Sequence, residues 1–248
     1  MEKLPALIFD VNETLLDLET LTPHFIRIFG EGGVMREWFA QLILYSEALT
    51  LAGEFAAFGE LAGAVLEMVG GTRNHCVTVE DVTAVKLAIA SMPCHREVPE
   101  ALRQLREAGF RLFTLTNNPA DTASEQLERA GLTDFFDRQF SVDQVRRFKP
   151  APETYRFVEH QLGLSSSNCC MVACHTWDTL GAVAAGWDAA LIMRPGNAPL
   201  SFGPQAQIVG QDLTVVAASL IASYHGCSMS LRANAIQQSL QRNCSLMQ

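Results

Sequence analysis

Basic side chains are scarce in this chain: 18 Lys and Arg stand against 27 Asp and Glu, giving a net charge of −9 and a pI near 5.1. A protein of that sign is a poor partner for a phosphate backbone, so nucleic acid is excluded as a ligand class. No apolar run approaches the roughly 18–20 residues that a membrane span requires. The chain also lacks a basic opening segment followed by an apolar stretch and a cleavage site, so a cytoplasmic location is expected. Cysteine occurs seven times, an odd set with no Cys-x-x-Cys pair, and metal-ligand spacing is absent. Adjacent Cys169 and Cys170 read as small apolar residues of a buried strand. Cys174 next to His175 suggests a thiolate nucleophile, but neighbours on an extended strand point to opposite faces and are not expected to meet. Hydrophobic residues make up 48% of the 248 positions, which rules out disorder for most of the chain and permits a sizeable core.

What is present is an alternation of strand and helix signals. Leu4-Pro5-Ala6-Leu7-Ile8-Phe9 is a short apolar run before a turn, the pattern of a buried strand. From Val98 a helix with Pro99 in its first turn runs to Ala108 and stops at Gly109. The strand Arg111–Thr116 and the turn Asn117-Asn118-Pro119 follow, then a helix with Asp121 as N-cap reaching Ala130. A helix from Pro152 to Gly163, the strand Cys169–Ala173, a helix from Asp178 to Ala185 and the strand Ala189–Met193 continue the series. Such repetition predicts an α/β fold, a doubly wound, Rossmann-like parallel sheet covered on both faces. Residues 18–93 read as helical, with Trp38, Phe39, Leu42, Ile43 and Leu49, and then Leu61, Val65, Leu66 and Val69, near helical spacing. Trp38, Phe39, Tyr45, Phe55 and Phe58 are expected mainly in the packed interior. This stretch is expected to form a helical cap subdomain, with 1–17 and 94–224 as the core and 225–248 as a polar, disordered appendage.

Four chemical elements occur in order at strand ends or just beyond them: Asp10 with Thr14, then Thr116-Asn117, then Lys149-Pro150, then Asp178. Together they describe covalent hydrolysis. A carboxylate nucleophile forms an ester and divides one difficult displacement into two easier ones. Thr116 and the amides around Asn117 and Asn118 are suited to hydrogen-bond an anionic substrate group. Lys149 would keep Asp10 ionised and neutralise that anion, and Asp178 would orient Lys149 or help activate water. Asn12 bears on the leaving group. An alkoxide leaving phosphate gains greatly from a proton donor, and a carboxamide has no acidic proton. Glu13 is offset by one residue in a tight loop, which aims it elsewhere. A halide leaves carbon as a stable anion and needs no proton.

The run Asp10-x-x-x-Thr14-Leu15-x-Asp17, Thr116-Asn117 in place of Ser-Asn, Lys149 before proline with Tyr155 six residues later, and Trp177-Asp178 resemble the type II 2-haloacid dehalogenases of the haloacid dehalogenase superfamily. The resemblance covers about residues 5–222. It implies a hydrolase in which Asp10 displaces halide from C2 of a short 2-haloalkanoic acid and water opens the ester, giving a 2-hydroxy acid without a metal or other cofactor. Thr14, Lys149 and Asp178 would complete the catalytic set. Asn12, Phe39, Thr116, Asn117, Tyr155, His175 and Trp177 would bind the small-molecule substrate. A homodimer through cap and core is also implied. Where this family carries tyrosine the chain has Asn12, and where a cap arginine follows tryptophan it has Phe39, with Arg36 near enough in sequence to take the arginine's place. Ala173 and His175 stand where Ser and Asn are usual. His175 reads as a halide or carboxylate donor, a general base, or a strand-end residue satisfied by backbone. Two alternatives stay open: a phosphatase of a small metabolite with Mg²⁺ between Asp10, the Asn12 carbonyl and Asp178, and a catalytically degenerate member kept for binding.

Overall fold

The computed structural model describes residues 4–225, so the appendage expected over 225–248 lies outside them apart from His225, which ends the last helix. Strands β1 (Ala6–Phe9), β2 (Arg111–Thr116), β3 (Arg138–Ser141), β4 (Cys169–Ala173), β5 (Asp188–Ile192) and β6 (Ile208–Gly210) form one sheet in the order β3-β2-β1-β4-β5-β6. All five pairings are parallel. Strands β1 and β4 are buried at every position, as a parallel strand between helix layers must be, which is why they read as unbroken apolar runs. The helices that flank the sheet are α5 (Val98–Glu107), α6 (Ala120–Arg129), α7 (Pro152–Leu162), α8 (Thr176–Ala184) and α9 (Leu213–His225). They follow a helical insertion of α1 (Thr22–Phe29), α2 (Val34–Ala52), α3 (Phe58–Thr72) and α4 (Val79–Ala90). In α5, Val98, Ala101, Leu102 and Leu105 share the buried face. Each such leucine contributes about 1.5–3 kcal/mol by leaving water.

The strand order determines where a site can form. From β1 the chain goes to β2 on one side, and after β3 it returns to β4 on the other side of β1. The loops after β1 and β4 therefore part and leave a crevice at the carboxyl edge, where open α/β sheets bind ligands. Phe9 pairs with Thr114 and Val172, and Asp10 N continues the ladder to Val172 O at 3.0 Å, so Asp10 enters that crevice.

The insertion lies against the same edge. Phe55 and Phe58 pack on Phe148, the Thr50 hydroxyl accepts from Phe148 N at 3.0 Å, and Gln126 Nε2 donates to Ile89 O at 2.8 Å. Trp38 is buried, with its indole N–H donating to Ala62 O at 3.0 Å, and Phe39 and Phe58 are buried beside it. Tyr45 departs from the expectation: at 39% exposure it lies on the solvent side of α2. None of the described helices is long and apolar enough to cross a membrane.

Two helix starts differ from those expected. Helix α6 begins at Ala120 with Pro119 at its N-cap, which leaves Asp121 in the first turn instead of capping it. Helix α8 begins at Thr176, with His175 extended at its N-cap, which moves Asp178 into the first turn. Strands β3 and β6 and helix α9 had no sequence expectation. Strand β3 is an edge strand with Arg138 exposed, and β6 has three residues, too few for a visible period.

Candidate active site

Asp10 is 5% exposed, and both of its carboxylate oxygens are engaged. Oδ1 accepts from Lys149 Nζ at 2.9 Å, Oδ2 accepts from the Thr14 hydroxyl at 2.7 Å, and His175 Nδ1 lies 3.3 Å from Oδ2. The Thr14 hydroxyl in turn accepts from Cys174 N at 3.0 Å and so ties the loop after β1 to the loop after β4. The Lys149 ammonium donates to Asp10 Oδ1 at 2.9 Å, to Leu115 O at 2.9 Å and to Asp178 Oδ2 at 2.6 Å. An ammonium has three protons and all are spent, so Lys149 holds and charges the nucleophile without donating to substrate. The second half of its expected role, direct neutralisation of the substrate anion, is not what this geometry provides.

Asp178 is fully buried and accepts from the Tyr155 hydroxyl at 2.8 Å on Oδ1, with the same hydroxyl 3.1 Å from its backbone carbonyl. Tyr155 was expected among the substrate-binding residues, yet it stands behind Asp178 and is 0% exposed. Gly181 makes this packing possible, because a Cβ there would come within 2.6 Å of the Tyr155 hydroxyl and 2.5 Å of Pro150 Cβ. Asp178 therefore orients Lys149 and lies off the chamber where water would react.

Burial alone would raise the Asp10 carboxyl, but Lys149, His175 and Thr14 outweigh it and hold the group well below the usual carboxylate range. Lys149 also resists burial, because Asp10 and Asp178 raise its ammonium above its ordinary value. Asp178 is pushed up by burial and by the like charge of Asp10, against the pull of Lys149 and Tyr155.

Above Asp10 is a narrow void of about 10 Å³, lined from the sheet edge by Asp10, Asn12, Thr116, Asn117, His175 and Trp177, and from the insertion by Phe39, Ile43 and Phe58. A cavity of about 320 Å³ shares Asn12, Phe39 and Phe58 with it and extends along Trp38, Leu42 and Ala62. The Thr116 hydroxyl accepts from Asn118 N at 3.1 Å and keeps its own proton to donate. The Asn118 amide expected as an anion donor is thereby spent, and Asn117 Oδ1 accepts from Lys149 N at 3.0 Å to hold the lysine loop. Asn12 Oδ1 is held by Asn118 Nδ2 at 3.2 Å and Gln126 Nε2 at 3.3 Å.

His175 lies between two carboxylates, with Nδ1 towards Asp10 and Nε2 2.8 Å from Glu13 Oε2, and its ring stacks on Trp177. Burial would favour the neutral ring, yet Cys174, Asp10 and Glu13 raise the imidazole well above its ordinary value. The two carboxylates carry the charge in this set, because burial also pushes the Cys174 thiol up and keeps it protonated. Contrary to the strand argument, Cys174 Sγ does meet the His175 ring, 3.6 Å from Nε2. Strand β4 ends at Ala173, so alternation no longer governs the next two residues. A protonated thiol with a protonated imidazole is nevertheless no thiolate nucleophile.

Arg36 does not replace the missing arginine. It pairs with Glu13 and Glu19 and donates to Pro195 O at 2.9 Å, outside the chamber. Gln126 and Arg194 have no counterpart in the sequence expectations, and Glu13, expected to aim elsewhere, instead reaches His175. Arg194, just past the end of β5, donates to Glu97 at 2.6 Å and to Thr14 O at 2.8 Å. Its position after a strand at the carboxyl edge was the available signal. The Mg²⁺ arrangement does not fit these residues: Lys149 and Tyr155 engage both Asp178 oxygens, and the Lys149 ammonium bridges Asp178 and Asp10. Asp10, Cys174 and His175 also bring ligand-type atoms within 4.8 Å of one another, but two of the three hold protons that a metal would have to displace.

Residues 4–186 match the family model of haloacid dehalogenase-like hydrolases. The chain is 29% identical over 203 residues to haloacetate dehalogenase H-2 of Moraxella sp. (strain B), covering 80% of this chain and 89% of that protein. It is 28% identical over 211 residues to (S)-2-haloacid dehalogenase 1 of Pseudomonas sp. (strain CBS-3), covering 83% and 92%. The L-2-haloacid dehalogenase structure from Xanthobacter autotrophicus superposes with a TM-score of 0.82 at 23% identity, covering 91% of this chain and 100% of that one, a likeness of fold.

Proposed function

Because the chain belongs to the haloacid dehalogenase-like hydrolase family, we propose that it hydrolyses the carbon–halogen bond of short 2-haloalkanoic acids, releasing halide and the 2-hydroxy acid. The observation that carries this reading is an ionised Asp10, held by Lys149 and Thr14, at the floor of a chamber whose upper wall is apolar. An Asp10 oxygen attacks C2, and the carbon–halogen bond breaks with its electron pair on the halide. The halide departs into the apolar side of the void, lined by Phe39, Phe58 and Trp177. Thr116 and the backbone at Asn117 receive the substrate carboxylate. Water then opens the ester at the Asp10 carboxyl carbon. Asp178 and Tyr155 act through Lys149 as positioning residues, and residues 18–93 serve as the cap that closes the chamber over the core. No step calls for a metal, since the leaving group is already a stable anion.

The test is halide release from 2-chloropropionate without added metal, expected to be unchanged by EDTA. EDTA-sensitive phosphate release from p-nitrophenyl phosphate, with no halide from the haloacid, would overturn the reading in favour of a phosphatase.

A further inference from the structure

We propose that His175, held by Glu13, is the base that activates the water opening the Asp10 ester; the inference rests on the dehalogenase reading and deepens it. Asp10 and His175 are the only titratable side chains lining the narrow void above the nucleophile among the described residues, and Glu60, Lys86 and Glu125 line the adjoining cavity instead. Asp178, the other candidate, is fully buried beneath it and committed to Lys149 and Tyr155. Glu13 is built for the task of holding the ring. Its backbone is at φ 64°, the left-handed region that non-glycine residues seldom occupy. From there its carboxylate reaches His175 Nε2 at 2.8 Å and is itself braced by Arg36 and by Asn197 Nδ2 at 3.0 Å. A carboxylate at Nε2 fixes the proton there, so the lone pair of the neutral ring lies on Nδ1, which faces Asp10 at 3.3 Å.

The charged groups around the ring are Asp10 and Glu13, with Lys149 behind the first and Arg36 behind the second. Cys174 is a neutral thiol, and Trp177 from α8 and Phe39 from the insertion present only their rings. In the resting state two carboxylates keep both ring nitrogens protonated. Forming the ester removes one of those charges, and the Nδ1 proton passes to solvent with the departing halide. Nδ1 then takes a proton from water as the water oxygen bonds to the Asp10 carboxyl carbon. The tetrahedral adduct collapses by breaking the bond to the product oxygen, which takes the second water proton from the nascent Asp10 carboxyl. Asp10 ends as a carboxylate and His175 as an imidazolium. Haloacid and water have become hydroxy acid, halide and one proton.

The experiment compares wild type, His175→Asn and Glu13→Gln with 2-bromopropionate, reading first-turnover bromide release by rapid mixing and adduct formation by intact-protein mass. His175→Asn should release one bromide per site at close to the wild-type rate and then stall. Its 1-carboxyethyl ester on Asp10 should accumulate, and steady-state turnover should fall about 10²–10⁴-fold, the range for loss of a general base. Glu13→Gln should accumulate the same adduct with a smaller loss and a shifted pH profile of turnover. Unchanged turnover in His175→Asn, or bromide release slowed as much as turnover with no adduct in either variant, would overturn the assignment. A wild-type protein that releases no bromide at all sinks the dehalogenase reading itself, a result distinct from either.

Discussion

At the floor of the chamber, Lys149 has an acceptor for each of its three protons, and Asp10, Asp178 and His175 are all paired. The wall that the insertion sets above them, Phe39, Ile43 and Phe58 with Trp38 and Leu42 behind, brings no charge to the narrow void. The two sides therefore tolerate change differently. A buried ion network fails when one partner is removed, because the rest are left charged and unpaired. An apolar wall accepts another apolar residue of similar volume at little cost and mainly sets what shape fits. Floor substitutions should cost chemistry or stability, and wall substitutions should cost affinity.

The sharpest break in that comparison is Asp10→Asn, which should lower halide release from 2-chloropropionate by about 10⁴-fold or more, as expected when a nucleophile is lost. Comparable turnover in that variant would show that the carboxylate is not the attacking group. Lys149→Met should destabilise the fold by about 3–5 kcal/mol in urea denaturation, because it leaves Asp10 and Asp178 facing each other without their cation. An unfolding midpoint equal to wild type would contradict the floor as an ion network.

A third effect follows from His175, whose imidazole is raised in the folded chain. Below the ordinary histidine value both states hold the proton and the stabilisation is complete. Above about pH 6.5 the unfolded chain loses the proton first, so stability should fall as pH rises towards the folded value, by up to about 1.4 kcal/mol per pH unit. Urea midpoints between pH 7 and 8.5 should show this slope in wild type and lose it in His175→Asn; equal slopes would argue against a protonated ring. The smallest effect belongs to the wall. Phe39→Leu should raise KM for 2-chloropropionate about fivefold with little change in kcat, as loss of uniform binding does. A kcat loss larger than the KM change would place Phe39 with the floor.

Much of the sheet was legible because its signals are local. The apolar run before Asp10, the strands at Arg111 and Cys169, and the proline- and glycine-bounded helices each declare themselves within a few residues. Lys149 and Trp177-Asp178 were found by their order along the chain. The remainder depends on contacts between distant segments. Nothing near Tyr155 in sequence says that its hydroxyl faces Asp178; that follows from Gly181 letting α8 approach. Nor does the loop sequence announce that Glu13 adopts a left-handed backbone and turns towards His175. Arg36, suggested by proximity to Trp38, is drawn away by Glu13 and Glu19.

The amino-acid sequence alone determined an acidic α/β protein with a carboxylate at the end of its first strand, because hydrophobic period and turn chemistry act over short range. The tertiary structure decided which groups meet that carboxylate. The crossover from β3 to β4 sets His175 beside Asp10, and three separate segments supply the acceptors of one lysine. The pairing of buried charges depends on distances of about 3 Å, which strand order and packing fix and which local pattern does not record.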